Sequence, residues 1–175
     1  MLKLSPTFRT RPKRGQPWEE YLQEKIQPSL QFLIEDDISE KSRVFAVRLA
    51  MCTEGSITPM FRNDSSKPFP HLVFSCQHPR LLEQWQKFFN LMDLDLSPSE
   101  GRLESGRIKT VKKFLQMGGF FPGIFVQKGS YYEGFTKQQV LKGIFLAREQ
   151  ATIDPQSRLK EKHEIIREFA AKIPD

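Results

Sequence analysis

The chain has 175 residues, of which 38% are hydrophobic and 27% are charged, and this length favours one domain with a sizeable core. No segment approaches the roughly eighteen consecutive apolar residues of a transmembrane helix, so we expect no membrane-spanning segment. The 27 Lys and Arg residues exceed the 21 Asp and Glu residues, and the resulting net charge of +6 favours a polyanionic partner such as nucleic acid.

The cysteines and the first residues indicate an intracellular protein. Cys52 and Cys76 lie far apart and form no CxxC pair, so we expect two thiols rather than a zinc module or a disulfide framework. The first residues lack the apolar segment of a signal peptide. We therefore expect a location in the cytoplasm or in an organelle.

Residues 1–38 are expected to form a basic arm and a helical extension. Residues 1–16 are basic, contain no acid and include three helix breakers, a composition typical of a flexible arm that contacts phosphates or stays solvated. Pro17 begins a helix with two glutamates in its first turn, and Pro28 interrupts that helix. We expect a main domain over residues 39–150 and a C-terminal helix within residues 151–175.

A helix is predicted over KSRVFAVRLAMCTE, with Ser39 or Ser42 as its N-cap and Gly55 at its end. Its apolar residues spread around most of the helix, which predicts burial on all sides. A narrow face of small side chains runs along it: Ala46, Ala50 and Thr53. Small faces allow close helix packing, either against a second copy of the chain or against its own helices.

After Gly55 the apolar period changes to two, the period of a strand. Two strands are predicted on either side of the turn-rich segment RNDSSKPFP, each apolar on one face and polar on the other. Their polar residues are Ser56, Thr58, Arg62, His71, Ser75 and Gln77.

The remaining pattern predicts helices around a second hairpin. Pro79 begins a helix whose apolar stripe packs on the sheet, and residues 94–105 favour a weak second hairpin. GRIKTVKKFLQMGG favours either a strand edge or an amphipathic helix. A glycine-rich loop then precedes a helix capped by Thr136, and a last helix begins at Pro155 with His163 on its surface.

The segment VRLAMCTEGSI resembles the LAGLIDADG motif of homing endonucleases. Downstream, HLVFSCQHPRLLEQWQKFFNLM resembles the second strand and following helix of that family, and KKFLQMGGFF and VLKGIFLA resemble its later helices. The resemblance covers residues 42–150. It implies an α+β fold with the order αββαββα, in which helices cover one face of a saddle-shaped antiparallel sheet and the other face lies in the DNA major groove.

The resemblance also implies an activity. A protein of this family is a site-specific endonuclease that hydrolyses double-stranded DNA with Mg²⁺ or another divalent metal such as Mn²⁺. A chain with one motif is expected to act as a homodimer on a long, near-palindromic site. Two alternatives remain: a cleavage-deficient protein of the same fold that acts as a DNA-binding regulator or an RNA-splicing maturase, and a basic protein-interaction domain without nucleic acid.

Several residues match the family's catalytic positions. Glu54 matches the metal-binding acid, and a carboxylate at the negative end of a helix favours a compensating cation. The resemblance implies that Thr53 shares this metal. Gln77, or His78 one residue later, matches the polar residue that positions active-site water. Lys128 matches the lysine that supports the nucleophile or stabilises the phosphate charge.

The resemblance assigns further residues to DNA contacts and to the dimer. The polar residues of the first two strands are expected to contact base edges, most of all Arg62, since arginine can pair with guanine through two hydrogen bonds. Expected phosphate contacts are Lys67, Arg102, Arg107 and Lys109. Expected dimer-interface residues are Ala46, Leu49, Ala50 and Thr53. Leu49 replaces the motif's glycine, and Cys52 replaces its first aspartate.

Overall fold

The computed structural model of this protein describes residues 29–35 and 37–174, so the predicted basic arm and the helix from Pro17 lie outside these residues. The described residues form an α+β fold with a four-stranded antiparallel sheet and six helices. None of these helices is long and apolar enough to cross a lipid bilayer. The elements are α1 (Gln31–Ile34), α2 (Glu40–Glu54), β1 (Gly55–Met60), β2 (Phe69–Ser75), α3 (Pro79–Leu91), β3 (Ser97–Ser99), β4 (Arg102–Ser105), α4 (Ile108–Gln116), α5 (Lys137–Gln150) and α6 (Leu159–Ala171).

Helix α2 begins where the sequence predicted. The Ser39 hydroxyl accepts a hydrogen bond from the Ser42 backbone N–H at 3.1 Å, as an N-cap does. The prediction that this helix is buried on all sides is wrong for the single chain. Phe45 and Leu49 are 55% and 48% exposed. The helix packs on the core through one side only, which carries Val47, Met51 and other buried residues.

The sheet has the strand order β1-β2-β4-β3, and all neighbouring strands are antiparallel. One face is buried against the helices, where the Phe74 ring contacts Trp85 and Phe89 of α3 at centroid distances of 5.3 and 5.1 Å. The prediction that α3 packs on the sheet is thereby confirmed. The opposite face, which we call the open face, carries polar side chains from three strands: Ser56, Thr58, His71, Ser75, Arg102 and Glu104.

The second half of the chain agrees with the sequence in most elements. β3 and β4 form the predicted second hairpin, and the ambiguous segment after it is helix α4. The Thr136 side chain and Gln139 form a reciprocal capping box at the start of α5, which confirms the predicted cap. From α2 to α4 the order is helix, two strands, helix, two strands, helix, as predicted.

The last helix begins at Leu159 and not at Pro155, so that boundary was wrong. The Asp154 side chain accepts a hydrogen bond from the Gln156 N–H, and its carbonyl accepts one from Ser157. These bonds form a local turn that competes with helix formation.

His163 is buried, so its predicted surface position was also wrong. Its Nδ1 lies 2.5 Å from the hydroxyl of buried Tyr132, and its ring stacks on Tyr131 at a centroid distance of 4.2 Å. Burial lowers the pKa of His163, while the neighbouring Glu164 carboxylate acts in the opposite direction. The contact joins helix α6 to the loop between α4 and α5.

We expect the free energy of unfolding to fall when the pH is lowered and His163 becomes protonated. In the folded protein the pKa of His163 lies below its ordinary value of 6.5. Between pH 6.5 and this lower pKa, the unfolded chain therefore binds more protons than the folded protein. Stability is therefore lost in that window. In urea unfolding, the difference in free energy of unfolding between wild type and His163→Gln should decrease from about pH 8 to about pH 5. Lys160→Gln, at an exposed position of the same helix, should keep the wild-type pH dependence. Parallel curves for wild type and His163→Gln would contradict the prediction.

Candidate active site

Helix α2 passes into strand β1 without a loop, and Glu54 stands at this junction. The Gly55 N–H donates to the Met51 carbonyl, and the backbone then extends at once with φ −92°. A Cβ atom at Gly55 would lie 2.5 Å from the Met51 carbonyl oxygen, a distance that real Cβ contacts do not reach. Glycine is therefore required by this close approach and not by its backbone angle.

Lys137, the first residue of α5, binds the end of α2. Its Nζ donates to the Cys52 carbonyl at 2.9 Å and to the Gly55 carbonyl at 2.6 Å. The last carbonyls of a helix have no partner within the helix, so the ammonium satisfies groups that would otherwise need water. Burial lowers the pKa of Lys137, while electrostatic interactions with Cys52 and Glu54 act to raise it.

Two clefts meet at Glu54. The first has a volume of about 530 Å³ and is bounded by the start of β1, the loop before α5 and Lys137. The second, of about 450 Å³, is bounded by α2, the end of β2 and α3. Three residues line both clefts: Thr53, Glu54 and Ser75. The exposed Glu54 carboxylate is therefore accessible from both clefts.

The structure brings two of the three predicted catalytic residues together. Gln77 lines the second cleft with Glu54. Lys128 lies exposed in the loop before α5 and lines neither cleft. His78, the alternative to Gln77, is buried at the start of α3, where its Nδ1 accepts a hydrogen bond from the Leu81 N–H at 3.4 Å. That contact gives His78 a capping role.

Sequence reasoning missed Lys137, the cation that shares the first cleft with Glu54. A local signal was present, since a lysine in the first turn of a helix is disfavoured by the helix dipole. A residue that violates a local preference in this way often has a tertiary role. Here that role is the contact with the negative end of α2.

The donor set around Glu54 fits a hard cation only in part. Carboxylate and carbonyl oxygens are the ligands that Mg²⁺ prefers. Among the described residues, however, no group of three or more His, Cys, Asp or Glu residues could hold a metal ion. A metal at Glu54 would therefore need ligands from water, from a nucleic acid phosphate or from a second copy of the chain.

The open face holds some of the predicted DNA-contact residues. Those on it are Ser56, Thr58, His71, Ser75 and Arg102. Arg62 follows the end of β1, with its guanidinium carbon 4.4 Å from the centre of the Phe69 ring. Gln77 follows the end of β2.

The predicted phosphate contacts outside the sheet differ in their surroundings. Lys67 donates to the Ala151 carbonyl at 2.7 Å, and Arg107 is paired with Asp95 at the start of α4. Lys109 is exposed in the first turn of α4. To bind a phosphate, Lys67 and Arg107 would therefore have to break these contacts within the chain.

The expected dimer residues are unequally accessible. Leu49 and Thr53 are exposed, Ala46 is half-buried, and Ala50 is 6% exposed. The exposed Phe45 lies on the same side of α2, with its ring centroid 5.3 Å from that of Phe121. The accessible stripe of α2 therefore includes two large apolar side chains, Phe45 and Leu49, and of the small-residue face only Thr53 is exposed.

No known protein family has a model that matches this chain, and no curated protein or solved structure matches it. The resemblance to the LAGLIDADG family therefore rests on the motif and on the segments that follow it.

The hydrogen bonds at the junction predict that Lys137 contributes more to stability than Lys128 does. Lys137→Met keeps the length of the side chain and removes both hydrogen bonds to the end of α2. We expect it to lower the free energy of unfolding by about 1–3 kcal/mol, as for buried groups that lose a charged partner. Lys128→Met, at an exposed loop position, should stay within about 0.5 kcal/mol of wild type. Denaturant titration measures both values, and equal effects would contradict the assignment.

Proposed function

We propose that this protein is a divalent-metal-dependent, site-specific DNA endonuclease of the LAGLIDADG type, with that family's αββαββα fold. The observation that carries the proposal is that Glu54 and Lys137 line the same cleft, at the edge of a polar sheet face. Hydrolysis of a phosphodiester needs an activated water and positive charge near the phosphate. An acid that can hold a metal and a fixed cation would meet both needs.

We assign metal binding to the Glu54 carboxylate and the Thr53 backbone carbonyl, with Mg²⁺ or Mn²⁺ as the ion. Such an ion supplies a more acidic water and offsets the charge of the phosphate. An ion held there would have only one carboxylate from each chain, so a second copy of Glu54 would be expected to help hold it. This requirement favours a homodimer.

Lys137 is the better candidate for the catalytic cation. An ammonium has three N–H donors, and Lys137 uses two of them on the Cys52 and Gly55 carbonyls. The third could donate to a phosphate oxygen in the cleft, where a fixed positive charge would stabilise the transition state. The exposed Lys128 is better suited to a contact with the DNA backbone. We assign Gln77 to the orientation of water beside Glu54.

The exposed side of α2 is the proposed homodimer interface. Phe45 and Leu49 are four residues apart, which places them on one face of the helix, and Thr53 follows one turn later. Exposed apolar side chains next to one another are typical of interaction surfaces. Two copies paired along this stripe would bring two Glu54 carboxylates together, one for each DNA strand.

We expect Glu54→Gln to abolish cleavage and to preserve DNA binding, since it removes a charge that holds the metal and changes little of the shape. The assay is cleavage of a randomised duplex library with Mg²⁺, with Ca²⁺ for binding alone. The rate should fall at least about a hundredfold. The control is Glu149→Gln, an exposed glutamate near the end of α5, which should cut like wild type.

Each other outcome of this assay has a meaning. Cleavage that survives in Glu54→Gln would contradict the catalytic assignment. Sequence-selective binding by wild type without any cuts would favour the regulator, and selective binding of RNA would favour the maturase. DNA binding that does not weaken steeply with salt would contradict phosphate contacts altogether.

Leu49→Glu should dissociate the homodimer, because a buried unpaired carboxylate is costly in an apolar interface. We expect the dissociation constant to rise at least about tenfold in sedimentation experiments. Leu91→Glu is a matched control, since Leu91 is 49% exposed on α3 and Leu49 is 48% exposed on α2. Equal sedimentation of wild type and Leu49→Glu would place the interface elsewhere.

A further inference from the structure

A carboxylate lies in the open face between two residues that were expected to contact DNA. The Glu104 Oε2 atom is 3.0 Å from the Arg102 Nε and 3.6 Å from the His71 Nε2. A carboxylate repels phosphate oxygens, so its presence argues against a surface that only binds the DNA backbone. Base edges, by contrast, offer both donors and acceptors.

Glu104 also contacts one side of the Arg102 guanidinium. The guanidinium is a planar fork with five N–H donors, and Glu104 contacts it on the Nε side. The ion pair with Glu104 forms at Nε, and the Arg102 side chain is 48% exposed. The terminal end of the fork therefore presents two parallel donors to a ligand. Guanine carries the matching pair of acceptors, O6 and N7, in the major groove.

The register of the sheet puts Arg102 next to the candidate active site. Its partner across the strand pair is Ser75, which lines both clefts beside Glu54. Neighbouring strands are about 4.8 Å apart, and successive phosphates of one DNA strand are about 3.4 Å apart along the helix axis. A base contacted by Arg102 would therefore lie within about three base pairs of a phosphate at Glu54.

We propose that Arg102 recognises a guanine and that Glu104 positions it, so that the protein prefers duplex DNA with a guanine within about three base pairs of the cut. The inference rests on the proposed function and determines part of its sequence preference. It also gives Arg102 a different role from the phosphate contact expected from the sequence.

A lysine at position 102 distinguishes the two roles. A phosphate contact needs a positive charge, which lysine supplies as a single point. Recognition of guanine through two hydrogen bonds needs the planar fork, which lysine lacks. Arg102→Lys should therefore keep most of the affinity for DNA and lose the preference for guanine.

The test is selection of bound sequences from a randomised duplex DNA pool in Ca²⁺, followed by sequencing. Wild type should enrich a guanine at one position near the cut. Arg102→Lys should reduce this enrichment at least about fivefold, and Glu104→Gln should reduce it by a smaller factor. Glu149→Gln should select the same sequences as wild type. Thermal unfolding of each variant verifies that it is folded.

Two results would overturn the inference alone: unchanged guanine enrichment in Arg102→Lys, or a selected wild-type site with no guanine near the cut. A wild-type protein that selects no sequence and shows no salt-dependent DNA binding would overturn the proposed function, and the inference with it. The two failures are therefore distinguishable.

Discussion

The arrangement of the candidate site depends on the end of helix α2. Because the helix continues into β1 without a loop, its last carbonyls cannot be covered by a turn of their own, and Lys137 covers them from another helix. Thr53 also satisfies carbonyls near the end of the helix, since its hydroxyl donates to the Leu49 and Ala50 carbonyls at 3.1 Å. The bonds from Lys137 place its ammonium in the cleft that Glu54 also lines. The lysine that we propose as the catalytic cation is therefore also the one that satisfies the end of the helix.

Other contacts fix the loop that follows α4. The Arg48 Nε donates to the Gly119 carbonyl at 2.9 Å, and the Phe121 N–H lies 3.2 Å from the Cys52 sulfur. Farther along, Tyr132 is tied to His163 of α6. This loop forms one wall of the first cleft. Its contacts hold it to α2 at one end and to α6 at the other. Cys52 itself packs in the core and accepts the hydrogen bond from the Phe121 N–H through its sulfur.

The sequence predicted the parts of the structure that depend on local pattern. The Ser39 cap, the change of period after Gly55 and the Thr136 cap are local, and each lies where the pattern indicated. Lys137 and His163 act through partners far along the chain, and no local pattern names those partners. The prediction that the helix is buried on all sides was wrong at Phe45 and Leu49. Apolar spacing indicates that a surface is covered, but it does not indicate whether the same chain or another molecule covers it.

The bond between Lys137 and Cys52 closes a loop of 85 residues. Contacts between residues so far apart form late and slowly in folding, since most of the loop entropy must be lost before they contribute. The ends of α2 and α5 are therefore joined by a long-range contact that we expect to form late in folding. A partly folded chain would therefore lack the contact between Lys137 and the end of α2.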